Sequence, residues 1–213
     1  KEEVINIDFQ LKKIFLNNRP SIGYSNLILN YGSQTKVSGE FEDLVNKQIA
    51  IPIKPFFKSY EFIKNEDKYN SEYEKSFVVV GSGLAAIEVA FALRKRWSKR
   101  SLKILCKSNK INNKILKTFY RSNIEVVGSL PVDFGKILLC TGNSSPLWVQ
   151  KYNSELDSKG RFFINNNLRL KNLLGTFATG DCSVIEDSKR PSSGIFAVKA
   201  INILANNIKR DIK

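Results

Sequence analysis

Phe77-Val78-Val79-Val80-Gly81-Ser82-Gly83-Leu84-Ala85-Ala86-Ile87-Glu88-Val89-Ala90-Phe91-Ala92-Leu93-Arg94-Lys95-Arg96-Trp97 is the stretch that decides the fold. Four apolar, mostly β-branched residues form a buried-strand signal, two glycines interrupt it, and a run of helix formers with helical apolar spacing follows. The pattern reads as strand, tight turn and helix. Gly81 allows the sharp turn, Gly83 lets backbone approach a pyrophosphate with no Cβ in the way, and Ala86 is small enough for close helix–sheet packing. Free N–H groups and the positive dipole end at the helix start suit an anion, whereas Arg94, Lys95 and Arg96 suit the other end. The alternative is an ordinary strand-to-helix turn.

Working outward, Leu102-Lys103-Ile104-Leu105-Cys106 completes a strand–helix–strand unit, for which a right-handed parallel crossover is expected. An acid that would bind the ribose of NAD often stands at the end of this second strand. Here the strand ends in Cys106-Lys107, so the choice between NAD and NADP stays open. A short amphipathic helix is expected over 111–121, with strands at 124–127 and 136–140. The polar run Thr141-Gly142-Asn143-Ser144-Ser145-Pro146 follows, at the carboxyl end of a strand, where open α/β sheets place ligands.

Towards the amino end, residues 1–33 alternate as short antiparallel strands, with Leu27-Ile28-Leu29 leading into a Gly32-Ser33 turn. A short helix begins near Phe41, Ile51–Phe56 is extended, and a second helix from Phe57 ends in the polar Asn65 to Asn70 stretch. Towards the carboxyl end, Asp157-Ser158-Lys159-Gly160 is a turn before Phe162–Ile164. A strand stops at Thr179-Gly180-Asp181-Cys182, and a helix covers Gly194–Asn207.

Composition narrows the chemistry. The chain has 213 residues, 42% of them hydrophobic, and a formal net charge of +14. Such a charge raises nucleic acid or an anionic membrane as a partner, yet the basic residues are scattered and no aromatic–basic stacking motif stands out. With no His and three widely spaced cysteines, Cys106, Cys140 and Cys182, neither a His base, a local redox disulfide nor a metal site is expected. No apolar run reaches the length of a membrane span. The chain contains no Met, so it is read as processed or as a fragment.

Taken together, the motifs resemble the flavin-dependent pyridine nucleotide-disulfide oxidoreductase superfamily, in its type II NADH dehydrogenase-like branch. Within that branch the chain is most similar to the oxidoreductase domain fused to selenide, water dikinase. Five landmarks carry the resemblance: Tyr31-Gly32-Ser33, Gly81 to Glu88, Cys140-Thr141-Gly142 with Pro146 and Trp148, Thr179-Gly180-Asp181-Cys182, and Gly194-Ile195-Phe196-Ala197-Val198. The resemblance implies that Gly81, Ser82, Gly83 and Ala86 hold the pyrophosphate of NAD(P)H, with Glu88 near the nicotinamide and Thr141 and Gly142 lining its cleft. It further implies that Gly32, Ser33, Gly180 and Asp181 bind FAD, Asp181 accepting from a ribityl hydroxyl. The helix carrying Ile195 and Phe196 would point its amino end at the flavin. Glu88 as a solvated first-turn acid and Asp181 as a simple cap stay open.

The chain departs from that pattern in having no G-x-G-x-x-G unit before residue 77, and the antiparallel strands that usually complete the NAD domain have little room between Val127 and Lys136. The expected architecture is α/β: a three-layer dinucleotide-binding domain over 72–165, with 1–71 and 166–213 packing together as the remnant of a flavin domain. The expected activity is hydride transfer from NAD(P)H to FAD and on to a small-molecule acceptor, with no protein nucleophile. A fused or associated selenide, water dikinase is an expected partner. A cytoplasmic location with room for peripheral membrane association is expected. The alternatives are a non-catalytic nucleotide- or partner-binding module and, ranked last, an RNA- or membrane-associated protein.

Overall fold

The computed structural model describes residues 2–69, 75–106, 111–186 and 194–212. The chain opens with β1 (Val4–Asp8), β2 (Lys13–Leu16), β3 (Ile22–Gly23) and β4 (Leu27–Leu29). Next come β5 (Gln34–Thr35), α1 (Gly39–Asn46), β6 (Ala50–Pro52), α2 (Phe56–Asn65), β7 (Ser76–Val80) and α3 (Leu84–Arg96). β8 (Leu102–Leu105), α4 (Asn113–Arg121), β9 (Ile124–Val127), β10 (Phe134–Leu139) and β11 (Asn143–Ser144) follow. The last are β12 (Phe162–Ile164), β13 (Thr176–Ala178), β14 (Ser183–Ile185) and α5 (Gly194–Ile212). They form two compact units: Gln34–Asn143, and Lys1–Ser33 with Ser144–Lys213.

The inserted unit is a parallel sheet of order β6-β10-β7-β8-β9. All five residues of β7 are buried, as a central parallel strand covered on both faces requires. The strand alternation sorts the apolar residues. Phe77, Val79, Leu102, Ile104 and Leu138 face one layer, where Ala86, Ala90 and Leu93 of α3 recur at helical spacing beside Phe119 of α4. Val78, Val80, Leu105, Ile137 and Leu139 face the other layer, which Phe41 of α1 closes. The chain passes from β9 to β10 through residues 128–133 with no further strand between them.

A buried ion pair lies in this unit. The Arg100 guanidinium, with no side-chain exposure, donates to Glu66 Oε2 at 2.7 Å and lies 4.7 Å from the Trp97 ring. The adjacent Asp67 accepts from Arg96 and from the Trp97 indole N–H, at 2.9 Å. The end of α2 is thereby tied to the end of α3.

The second unit joins the antiparallel sheet β1-β2-β3 to two parallel pairs, β4 with β13 and β12 with β14. Its core gathers Ile7, Leu27, Leu29, Val149, Phe162, Ile164, Leu168 and Leu170, with Ala200 and Leu204 of α5 packed against it. The turn after Leu156 closes through Asp157, whose carboxylate accepts from the Lys159 and Arg161 N–H groups. Gly160 takes φ +73.

The units divide at residues 34 and 144, not at the expected 72 and 165. Residues 34–71 belong with the large sheet because β6 hydrogen-bonds along β10 and both Phe41 and Ile63 are buried on its faces. Residues 144–165 belong to the other core because Val149, Phe162 and Ile164 are buried there.

Candidate functional site

In the inserted unit, β8 and β9 extend to one side of β7 and β10 lies on the other. The carboxyl ends of β7 and β10 therefore flank the point where the winding direction reverses, the place where doubly wound sheets leave a crevice. Gly81-Ser82-Gly83 leaves β7 there, and Cys140-Thr141-Gly142 leaves β10 beside it. The two turns touch closely. A Cβ on Gly81 would stand 2.5 Å from the Cys140 carbonyl oxygen, and Gly81 holds φ +143, so only glycine fits.

Gly83 is different. It has φ −80, and a Cβ built on it meets nothing within 4 Å. It precedes α3, which has no side-chain cap, whereas Asn112 caps α4 through the Lys114 N–H at 2.8 Å. The first intrahelical bond of α3 runs from the Ile87 N–H to the Gly83 carbonyl, so the N–H groups of Leu84, Ala85 and Ala86 precede the ladder. Open space above Gly83 and uncapped donors at the positive end of a 13-residue helix are what a phosphate fits. Ala86 is fully buried against the sheet, and Glu88 is exposed on α3. Thr141 donates its hydroxyl to the Lys36 carbonyl, and Gly142 takes φ +104. Lys107 lies outside the described residues.

The other predicted residues meet in the second unit. Parallel pairing of β4 with β13 aligns Leu29 with Ala178, which carries Gly32-Ser33 and Gly180-Asp181 to the same end. Ser33 Oγ donates to Asp181 Oδ2 at 3.3 Å. Gly180 has φ +78, and a Cβ there would stand 2.9 Å from Asn30 Oδ1 and 3.8 Å from Ala197 Cβ on the first turns of α5. Ile195 and Phe196 fall in α5, but their side chains lie outside what the structure describes.

Beside this second cluster Asn30 carries no sequence signal as a site residue, whereas Tyr31 and Trp148 belong to the landmarks of the resemblance. Asn30 abuts Gly180, and Tyr31 packs edge-on against Trp148 at 5.2 Å. Burial raises the Tyr31 phenol, with the nearby Cys182 adding to the shift. Among the cysteines, Cys182 is buried, its thiol donating to the Leu29 carbonyl at 3.4 Å, whereas Cys106 and Cys140 are half-buried at strand ends. Burial pushes the Cys140 thiol up to about 12 and the Cys182 thiol up to about 11. Neither supplies a thiolate at neutral pH.

Residues 1–129, more than half the chain, match the family described as pyridine nucleotide-disulphide oxidoreductase. The chain belongs to that family. Among its relatives, human ferroptosis suppressor protein 1 is 23% identical across 99% of this chain, and the Mus musculus protein of that name is also 23% identical. The chain spans 62% of the length of the human relative. A solved complex of putidaredoxin reductase with putidaredoxin superposes with a TM-score of 0.77 at 15% identity, covering 97% of this chain and 57% of the other. An engineered water-forming NADPH oxidase bound to NADPH gives 0.73 at 16%, covering 100% and 52%. NADH:rubredoxin oxidoreductase from Clostridium acetobutylicum gives 0.74 at 20%, covering 97% and 55%. These family likenesses establish the α/β fold with its parallel sheet. None of these relatives supports the expected tie to selenide, water dikinase.

Proposed function

We propose that the chain serves hydride transfer from NAD(P)H to FAD and from reduced flavin to a small-molecule acceptor, in the manner of type II NADH dehydrogenase-like members of its family. The observation that carries the proposal is the Gly81–Gly83 turn, open above Gly83 and set beside Thr141-Gly142 at the reversal point of the sheet. Family membership supports the same reading, as does the likeness to an oxidase bound to NADPH and to a FAD-dependent oxidoreductase from Desulfovibrio vulgaris.

The two nucleotides supply the redox chemistry, and the protein's part is binding, orientation and electrostatics. The N–H groups at the start of α3 hold the pyrophosphate of NAD(P)H, and Ala86 keeps the helix close enough for them to reach it. Glu88 and the Thr141-Gly142 turn flank the nicotinamide side. Asp181, steadied by Ser33, accepts from a polyol hydroxyl of FAD.

The test is reconstitution. Purified chain incubated with FAD should turn yellow with a protein-bound flavin spectrum, and NADH or NADPH added without oxygen should bleach it. Protein that stays colourless after exposure to FAD would sink the flavin half of the proposal. Binding of NAD(P)H by such colourless protein would leave a non-catalytic nucleotide-binding module.

A further inference from the structure

A lysine is tied to the turn that leaves β10. Lys36 follows β5 directly, and its N–H donates to the Gly142 carbonyl at 3.0 Å. In return the Lys36 carbonyl accepts from the Thr141 hydroxyl, so that proton is engaged by main chain. Thr35, the residue before, is buried, and its hydroxyl accepts the Lys54 N–H at 3.0 Å just past β6. The main chain at Lys36 is thereby anchored to the carboxyl ends of β10 and β6 together.

Alternation then turns the side chain outward. Thr35 faces in, so Lys36 faces out, and it is exposed. Among the described residues no carboxylate pairs with its ammonium. A Cβ built on Gly142 meets nothing within 4 Å, so the turn that anchors the lysine is open. The result is an unneutralised cation, rooted by two hydrogen bonds, at the Thr141-Gly142 turn. That turn lies beside the Gly81 turn, which leads to the uncapped N–H groups of α3.

Resting on the reading that NAD(P)H lies across these two turns with its nicotinamide toward Thr141-Gly142, we propose that Lys36 discriminates between the two redox forms of the nucleotide. It disfavours the oxidised form and so hastens its release. Loss of a hydride to the flavin takes both electrons of the C–H bond and leaves the nicotinamide ring with one positive charge. An anchored ammonium repels that charge and is indifferent to the neutral reduced ring. Its attraction for the pyrophosphate acts on both forms alike, as does that of the α3 amino end, so the ratio of the two affinities isolates the ring. Glu88, a carboxylate on α3, acts in the opposite sense and is common to parent and variant, so it cancels in the comparison.

The experiment is fluorescence titration of the whole chain with NADH, with displacement of bound NADH by NAD+, at low and at near-physiological salt. NADPH and NADP+ are run in parallel. In Lys36→Gln the dissociation constant of the oxidised nucleotide, divided by that of the reduced one, should fall ~threefold, and the change should shrink as salt is raised. Lys36→Arg keeps the charge and should keep the parent's ratio. Unfolding midpoints of both variants should match the parent, because the side chain is exposed and both anchoring bonds are made by main chain. An unchanged ratio in Lys36→Gln would overturn the inference and leave the nucleotide site standing. Equal weakening of both redox forms would overturn it too, by assigning Lys36 to the phosphates. A fall in the ratio that Lys36→Arg shares would do the same, since charge would then not be the cause. A parent chain that binds neither nucleotide would overturn the site itself, and this inference with it.

Discussion

Gly81 and Gly83, two residues apart, fill opposite requirements. Gly81 is a packing necessity: Gly81→Ala forces a side chain into φ +143 and against the Cys140 carbonyl, and should cost about 1–3 kcal/mol in a urea titration. Gly83 has ordinary backbone angles and open space, so Gly83→Ala should shift stability by less than ~1 kcal/mol. Its methyl group would occupy the place offered to a phosphate, and NAD(P)H affinity should fall ~tenfold, read by fluorescence titration. Equal loss of stability in both variants would refute this division. The sequence assigns the two glycines different roles, Gly81 the sharp turn and Gly83 the approach to a pyrophosphate, but it does not show what Gly81 packs against. That contact is the Cys140 carbonyl, which arrives from a strand distant in the chain. Asn30 escaped notice for the same reason, since its neighbour Gly180 comes from β13's end.

The thiols also act at this scale. Burial raises Cys140 from 9.0 to about 12 and Cys182 to about 11, so the folded state keeps protons that the unfolded chain releases. For a group whose folded pKa is raised, the stabilisation is complete below the unfolded value and is lost as pH rises towards the folded one. Stability should therefore fall between pH 9 and 11, by at most about 1.4 kcal/mol per pH unit for each thiol. Denaturant midpoints at pH 8 and pH 10.5 would measure it, and Cys140→Ala should flatten the decline.

Among the elements, β7, α3 and β8 were legible because each carries its own signal: a β-branched run, alanines at helical spacing, then a second apolar run within one crossover. The short antiparallel strands near the amino end were legible from alternation. β6 was not, because Ala50–Pro52 is too short and too mixed to show a period, and only its pairing with β10 makes it a sheet strand. The clamp between α2 and α3 was equally hidden, since nothing in Glu66 or Arg100 taken alone announces burial. It makes a sharp prediction. Glu66→Gln would leave the Arg100 guanidinium buried without its carboxylate and should destabilise the protein by about 3–5 kcal/mol, measured by chemical unfolding. Removing both charges together, with Glu66→Gln and Arg100→Met, should recover much of that loss.

On the scale of the whole molecule, the division into units was expected in kind and misjudged in position. Composition carries no mark at residues 34 and 144, because the boundary is set by which core takes Phe41, Ile63 and Val149, a matter of pairing across long separations. The difference between the units should appear in hydrogen exchange. Amides of Val78–Val80, in a strand paired on both sides and fully covered, should exchange slowest. Amides of β4, which among the described residues pairs with β13 alone, should exchange sooner. Mass spectrometry of exchanged peptides would decide it. The inserted arrangement also imposes an order on birth. Ser33 and Asp181 lie 148 residues apart in the chain, and β4 cannot meet β13 until the ribosome has made everything between them. At roughly 5–20 residues per second, the first strands wait on the order of ten seconds while the parallel sheet has time to fold. During synthesis the nascent chain therefore keeps Leu27 and Leu29 uncovered after the sheet that carries the Gly81 turn is complete.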